Sequence, residues 1–133
     1  RVSKVDMGFY DTDPLGDLGR LQAEMFRAVR LVVDTGMHAK HWSREQAIEY
    51  MVAKTGMTEA EVTREIERYV VWPGQATSYK VGQLAMLRMR EQAEKELGPK
   101  FDLRDFHREV LSDGAVPMDV LAAKVDRWIA ARR

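Results

Sequence analysis

Apolar residues recur along the chain at the spacing of amphipathic helices, and no segment shows the alternation expected of a β-strand. The first predicted helix runs from about Asp17 to about Met37, and its apolar positions follow the three-and-four spacing of a buried stripe. These positions are Leu18, Leu21, Met25, Ala28, Val29 and Val32. Gly36 follows as a suitable helix stop, so the pattern predicts one long helix that packs along this stripe.

A capping box precedes each of the next two predicted helices. Ser43 and Gln46 mark the start of the second helix, and Thr58 and Glu61 mark the start of the third, after a break at Gly56. The apolar stripe of the third helix is Val62, Ile66, Tyr69 and Val70. Two such starts close together predict a helical hairpin.

Three more helices are predicted in the second half of the chain. Pro73 is suited to the first turn of a long fourth helix, which runs to about Leu97 and stops at Gly98. A short fifth helix is expected over residues 102–111, and a sixth begins near Pro117. The inward positions of the sixth helix are predicted to be Val120, Leu121, Val125, Trp128 and Ile129.

The first sixteen residues differ from the rest because they lack a helical period. They are rich in polar residues, glycine, proline and aspartate, and the first residue is Arg1 rather than Met. We therefore expect residues 1–16 to be an extended lead-in from a missing upstream region. Residues 17–133 are predicted to form a single all-α domain, with about six helices in a bundle-like arrangement, because the connections are short.

The composition restricts the classes of partner. Of 133 residues, 45% are hydrophobic and 32% are charged, which is typical of a globular domain. Lys plus Arg equals Asp plus Glu at 21 each, so no long-range attraction to nucleic acid or anionic membranes is expected. Apolar runs such as residues 31–33 are far shorter than a membrane span, and the absence of cysteine excludes thiol chemistry. We expect neither nucleic acid nor membrane as a partner.

The first predicted helix has an unusual polar face. Arg27, Arg30, Asp34 and His38 lie within roughly a quarter-turn of each other, and the four-residue spacings would let Arg30 pair with Asp34 and Asp34 with His38. A carboxylate beside a histidine fixes its tautomer, and two arginines can bind a substrate carboxylate. The alternative is a solvated face whose surface ion pairs contribute little.

A second candidate cluster lies in residues 72–82. If the fourth helix begins at Pro73, small residues fall on one of its sides, namely Gly74, Ser78, Gly82 and Ala85. Glycine in a helix costs up to about 1 kcal/mol relative to alanine, so such a strip indicates close approach by a ligand or another backbone. Tyr79 would lie beside it with a hydroxyl to offer. The alternative is tight helix packing around a buried tyrosine.

Metal binding has little support within this chain. His38, His41 and Glu45 are residue types that bind zinc, but they lie on both sides of a predicted helix end. The sequence contains no H-E-x-x-H run and no glycine-rich phosphate loop. No metal ligand is therefore predicted here.

Two stretches of sequence resemble a known family when they are taken together. They are FRAVRLVVDTGMH at residues 26–38 and WPGQATSYKVG at residues 72–82, with HWSREQA at 41–47 and FDLRDFH at 101–107 in support. They resemble the C-terminal end of the bacterial family catalogued as domain of unknown function eight-eight-five (DUF885). Those proteins look like zincin-type metallopeptidases of the mostly helical kind.

The resemblance implies that this chain is the C-terminal part of a larger helical zincin-like fold. In that family the H-E-x-x-H helix and a further glutamate ligand lie upstream, so zinc is expected in the intact protein and no cofactor in this part of it. Its partners would be the upstream part of the same polypeptide and a peptide substrate. The chain by itself is expected to be inactive.

The resemblance also suggests roles for individual residues. Tyr79 resembles the tyrosine that related helical peptidases place near glycines on a late helix, which implies a role as oxyanion donor in the intact protein. His38, positioned by Asp34, is the second candidate. The predicted site residues are Tyr79 and His38 for catalysis, Arg27, Arg30, Gly74 and Gln75 for substrate binding, and Asp34 in support. The alternative function is a non-catalytic helical scaffold or protein-interaction module, in which the small-residue strip docks another helix in a homo-oligomer or with a partner.

Overall fold

The computed structural model describes residues 4–5 and 7–133, and it confirms the all-α class. Between residues 7 and 133 it has six α-helices joined by short turns. They are α1 (Pro14–Lys40), α2 (Arg44–Thr55), α3 (Glu59–Val71), α4 (Ser78–Leu97), α5 (Leu103–Leu111) and α6 (Met118–Ala130), with a short 3₁₀ helix at Gly98–Lys100 between α4 and α5. None of these helices is long and apolar enough to cross a lipid bilayer.

The first helix begins earlier and ends later than the sequence predicts. Asp13 caps it by accepting a hydrogen bond from the Gly16 amide at 2.8 Å, and Pro14 occupies its first turn. Residues 7–12 form turns rather than an extended lead-in, while residues 1–3 and 6 of that predicted segment lie outside the described residues. Helix α1 ends only where His41 adopts a left-handed conformation with φ of 57°.

Gly36 is therefore not a helix stop, and a packing contact explains why glycine is there. It is buried inside α1, and a Cβ atom at this position would lie 2.6 Å from Cδ2 of Trp42. Because Trp42 folds back over the last turn of α1, only glycine leaves room for the indole ring. The fold requires glycine at position 36 because of packing against Trp42, not because the helix ends there.

The predicted helical hairpin is confirmed. Both capping boxes are present, with the Ser43 amide donating to Gln46 Oε1 at 2.9 Å and the Thr58 amide donating to Glu61 Oε2 at 3.2 Å. Gly56 lies between the helices with φ of 65°. Helices α1, α2 and α3 pack around one core formed by Val29, Val33, Ala47, Ile48, Met51, Val62, Ile66, Tyr69 and Ala76.

The predicted burial of several apolar positions is wrong. Only part of the α1 stripe is buried, because α1 contacts the core through its C-terminal half, around Val29 and Val33. Leu18, Leu21, Met25 and Val32 of the stripe are exposed. Val70 in α3 and Val120 in α6 are also exposed rather than inward.

The fourth helix begins at Ser78, not at Pro73. Residues 73–77 form turns, and Gly74 has φ of 80°, a left-handed conformation that a right-handed helix cannot include. Gly74 therefore does not share a helical side with Ser78 and Gly82. A Cβ atom at Gly74 or Gly82 would meet no atom of the described residues within 4 Å, so these glycines do not mark a close backbone approach.

The contacts group the chain into two compact units, Arg1–Lys80 and Val81–Arg133. The second unit has its own core, in which the rings of Phe106 and Trp128 meet edge-to-face with centroids 6.2 Å apart. Its buried members are Met89, Ala93, Leu97, Phe106, Leu121, Val125, Trp128 and Ile129. A single domain over residues 17–133 stays a prediction.

Candidate functional site

Asp34 is buried, with only 2% of its surface exposed, and it binds backbone rather than the predicted side chains. Both of its carboxylate oxygens lie 3.1 Å from the amide nitrogen of Gly74, which donates to them. The predicted pairs of Asp34 with Arg30 and with His38 are not formed. The physical reason is that the turn after α3 brings an otherwise unpaired amide to α1, and this amide satisfies the buried carboxylate.

His38 is exposed and is held by a main-chain carbonyl instead of by Asp34. Its Nε2 lies 3.0 Å from the carbonyl oxygen of Tyr69. Because a carbonyl can only accept, Nε2 carries the proton in this contact. In the neutral ring the lone pair is then on Nδ1.

The two arginines of the predicted site have different surroundings. Nη1 of Arg27 donates to the carbonyl of Ala23 within α1 at 2.7 Å. Arg30 has a side chain that is only 11% exposed, and it donates from Nε to the Tyr69 hydroxyl at 2.8 Å and from Nη2 to Glu65 at 2.9 Å. Its guanidinium lies 4.2 Å from the Phe26 ring centroid. These contacts fit a bracing role for Arg30 better than binding of a substrate carboxylate.

Glu65 is the centre of a cluster that the sequence reasoning missed. Its Oε2 accepts hydrogen bonds from Arg30, from Nη2 of Arg68 at 2.8 Å and from the Tyr69 hydroxyl at 2.6 Å. Burial by itself would raise the pKa of Glu65, but the hydrogen bonds from Arg68, Tyr69 and Arg30 outweigh it and lower the pKa to about 2. Burial and the bond to Glu65 raise the pKa of Tyr69 above its usual value.

The cluster continues through Gln75 to the predicted catalytic tyrosine. Nη1 of Arg68 donates to Oε1 of Gln75 at 2.8 Å, and Nε2 of Gln75 lies 3.3 Å from the Tyr79 hydroxyl oxygen. Tyr79 is 50% exposed, and its ring centroid lies 5.3 Å from the guanidinium carbon of Arg30. We call this set the Glu65–Tyr79 network; its members are Arg30, Glu65, Arg68, Tyr69, Gln75 and Tyr79.

The structure therefore brings six of the seven predicted residues into two sets of contacts. Arg30, Gln75 and Tyr79 belong to the Glu65–Tyr79 network, while Asp34 and Gly74 bind each other. Nε2 of His38 contacts the same network at the main-chain carbonyl of Tyr69. The missed residues Glu65, Arg68 and Tyr69 have the i, i+3, i+4 spacing of a helix face, which is a signal that the sequence offers.

The described residues hold no zinc-binding cluster. No group of three or more His, Cys, Asp or Glu side chains in that part of the chain could hold a metal ion. His41 forms the left-handed end of α1, and the exposed Glu45 lies 3.4 Å from Arg44. The described residues do not fit a zinc site.

Comparison with known proteins places the chain in a bacterial family. The family model described as "Bacterial protein of unknown function (DUF885)" matches residues 4–125, so the chain belongs to that family, as its motifs predict. Among solved structures, a "putative lipoprotein" from Colwellia psychrerythraea is 59% identical over 97% of this chain, with a TM-score of 0.95. The match covers 22% of that protein's chain. No curated protein sequence matches.

Proposed function

We propose that this chain forms part of the substrate cleft of a zinc-dependent peptidase, in which the Tyr79 phenol donates a hydrogen bond to the scissile carbonyl. The observation that supports this is the combination of exposure and restraint at Tyr79. Half of the residue is open to solvent, while its hydroxyl and ring contact Gln75 and Arg30 of a network centred on an ionised glutamate. Such a phenol can contact a substrate, and its position is already restrained before the substrate binds.

The chemistry assigned to Tyr79 is stabilisation of developing charge. When a nucleophile adds to a peptide carbonyl, negative charge builds on the oxygen, and a positioned O–H donor stabilises it more in the transition state than in the substrate. His38 is the second candidate for contact with substrate, because its ring is exposed and held by Tyr69. When bound, zinc would supply an activated water molecule, and its ligands would come from elsewhere in the intact protein.

The test is removal of the Tyr79 hydroxyl in the full-length protein. Tyr79→Phe should lower kcat for peptide hydrolysis by about 100-fold, the usual cost of losing one such donor, and leave the circular dichroism spectrum unchanged. Tyr50→Phe is a matched control, since it deletes another partly buried phenol of the same unit. Hydrolysis by Tyr79→Phe at the rate of the unaltered protein would refute the proposal.

A second candidate function, a protein-interaction module, is favoured by a different observation. The exposed apolar residues of α1 lie on one side of the helix at about 100° per residue. They are Leu15, Leu18, Leu21, Met25 and Val32, of which Leu15 is 79% exposed and Leu18 62%. We call them the α1 apolar face. An exposed apolar face of this kind indicates contact with another protein surface, either the remainder of a longer polypeptide or a second copy.

A further inference from the structure

The partners of Gln75 determine which way its amide group faces. Oε1 of Gln75 lies 2.8 Å from Nη1 of Arg68, and a guanidinium group can only donate. The atom at this position must therefore be the amide oxygen. It follows that the amide nitrogen, a donor, is the atom that faces the Tyr79 hydroxyl oxygen at 3.3 Å.

Arg68 is itself fixed by the carboxylate of Glu65. Nη2 of Arg68 donates to Oε2 of Glu65 at 2.8 Å, while Nη1 of the same guanidinium serves Gln75. Glu65 remains ionised at neutral pH, because its pKa is about 2. An ionised carboxylate only accepts, so Arg68 is the donor both in its hydrogen bond to Glu65 and in its hydrogen bond to Gln75.

These donor and acceptor assignments also determine where the Tyr79 hydroxyl proton points. Its oxygen accepts from Gln75, so its own proton points away from Gln75, and the residue is half exposed. We propose that Gln75 is a positioning residue that turns the Tyr79 hydroxyl proton outward, and that Arg68 and Glu65 hold Gln75 in the required orientation. This inference rests on the proposed donor role of Tyr79, and it gives Gln75 a different role from the predicted contact with substrate.

Two substitutions at Gln75 change the direction of this bond in different ways. Gln75→Leu removes it. Gln75→Glu replaces the amide by a carboxylate that accepts from Arg68 and also from the Tyr79 hydroxyl, so the phenol proton is turned inward. Gln46→Glu is the matched control, because a capping box accepts glutamate and glutamine equally and the charge change is the same.

The first measurement uses the 133-residue chain and needs no activity. The Cζ carbon resonance of Tyr79, identified by its disappearance in Tyr79→Phe, reports whether the phenol oxygen accepts or donates. It should move in Gln75→Leu and in Gln75→Glu and stay in place in Gln46→Glu. An unmoved resonance in Gln75→Glu would overturn the inference.

The second measurement is peptide hydrolysis by the full-length protein. Gln75→Leu should lower kcat about tenfold, the value of one hydrogen bond, with a smaller effect on KM. Gln75→Glu should approach the loss seen in Tyr79→Phe, and it should add nothing when Tyr79 is already Phe, because both changes remove the same donor.

Failure of this inference and failure of the proposed function give different results. If Gln75→Glu costs as much in the Tyr79→Phe background as in the unaltered protein, Gln75 does not act through Tyr79 and the inference is wrong. If Tyr79→Phe hydrolyses peptides normally, the proposed function fails, while the Tyr79 resonance still decides whether Gln75 orients the phenol.

Discussion

Glu65 is the residue on which three donors converge, and its charge links the network to pH. The unfolded carboxyl takes up a proton below its ordinary pKa of 4.5, whereas the folded one does so only near pH 2. Its contribution to stability is therefore complete above about pH 4.5 and is lost as the pH falls toward 2. The shift corresponds to at most about 3–4 kcal/mol, and solvent screening of this partly exposed group reduces that to about 1–2 kcal/mol.

This predicts a specific change in acid stability. Glu65→Gln should be less stable than the unaltered protein at pH 7 by about 1–2 kcal/mol, and the difference should shrink between pH 4.5 and 2. Urea unfolding across that pH range measures it. Glu67→Gln on the same helix removes an exposed carboxylate that pairs with Arg44, and it should change the free energy of unfolding by less than about 1 kcal/mol. A constant difference at all pH values would contradict the prediction.

Individual contacts were the part of the site that the sequence could predict least. Helical spacing gave the neighbours of Asp34 on its own helix, Arg30 and His38, but its actual partner is an amide forty residues away in the chain. The same limit applies to Arg30, which pairs with Glu65 across two helices. Helical spacing relates residues of the same helix only, so it does not predict contacts with residues on another helix.

At the scale of elements, the start of a helix was predictable where a few neighbouring residues determine it. Capping boxes need only four consecutive residues, and both were predicted correctly. Pro73 was ambiguous because proline is accepted both at a helix start and in a turn, and the positive φ of Gly74 selects the turn. Gly36 was misread because its cause, Trp42, lies beyond the helix.

Two glycines of α1 give a matched test of this explanation. Gly36→Ala should destabilise the fold by about 1–2 kcal/mol, because the new Cβ atom would clash with Trp42 by more than the helix propensity gain offsets. Gly19→Ala meets no described atom within 4 Å and should stabilise by up to about 1 kcal/mol. Thermal unfolding of the two variants measures both, and equal effects of the same sign would show that Trp42 does not decide the role of Gly36.

At the scale of the whole molecule, class and family were predictable, and burial was predicted correctly at positions such as Ile66 and Trp128 but not along much of α1. The hydrophobic period identified helices correctly, and the motifs at residues 26–38 and 72–82 identified the family. The same period predicted that the α1 stripe is buried, yet much of it forms the α1 apolar face. Periodicity shows which side of a helix is apolar, but it does not show which part of the chain covers that side.

The α1 apolar face predicts association. The formal net charge is zero, so charge repulsion does not oppose contact between copies, and added salt should not weaken it. Light scattering should show a mass above that of the monomer that rises with concentration, and Leu18→Glu with Leu21→Glu should abolish it. Val120→Glu, at an exposed valine of α6, is the control. A chain that stays monomeric at every concentration would argue against an interaction function.

The bond between Asp34 and Gly74 has a consequence for how the protein can vary. The carboxylate binds the main chain, so the path of the turn at residues 73–77 depends on one aspartate and one left-handed glycine. Neighbouring side chains in that turn take no part in this bond. A homologue that changes either Asp34 or Gly74 is therefore expected to lose the course of the turn, and with it the position of Gln75 beside the Tyr79 hydroxyl.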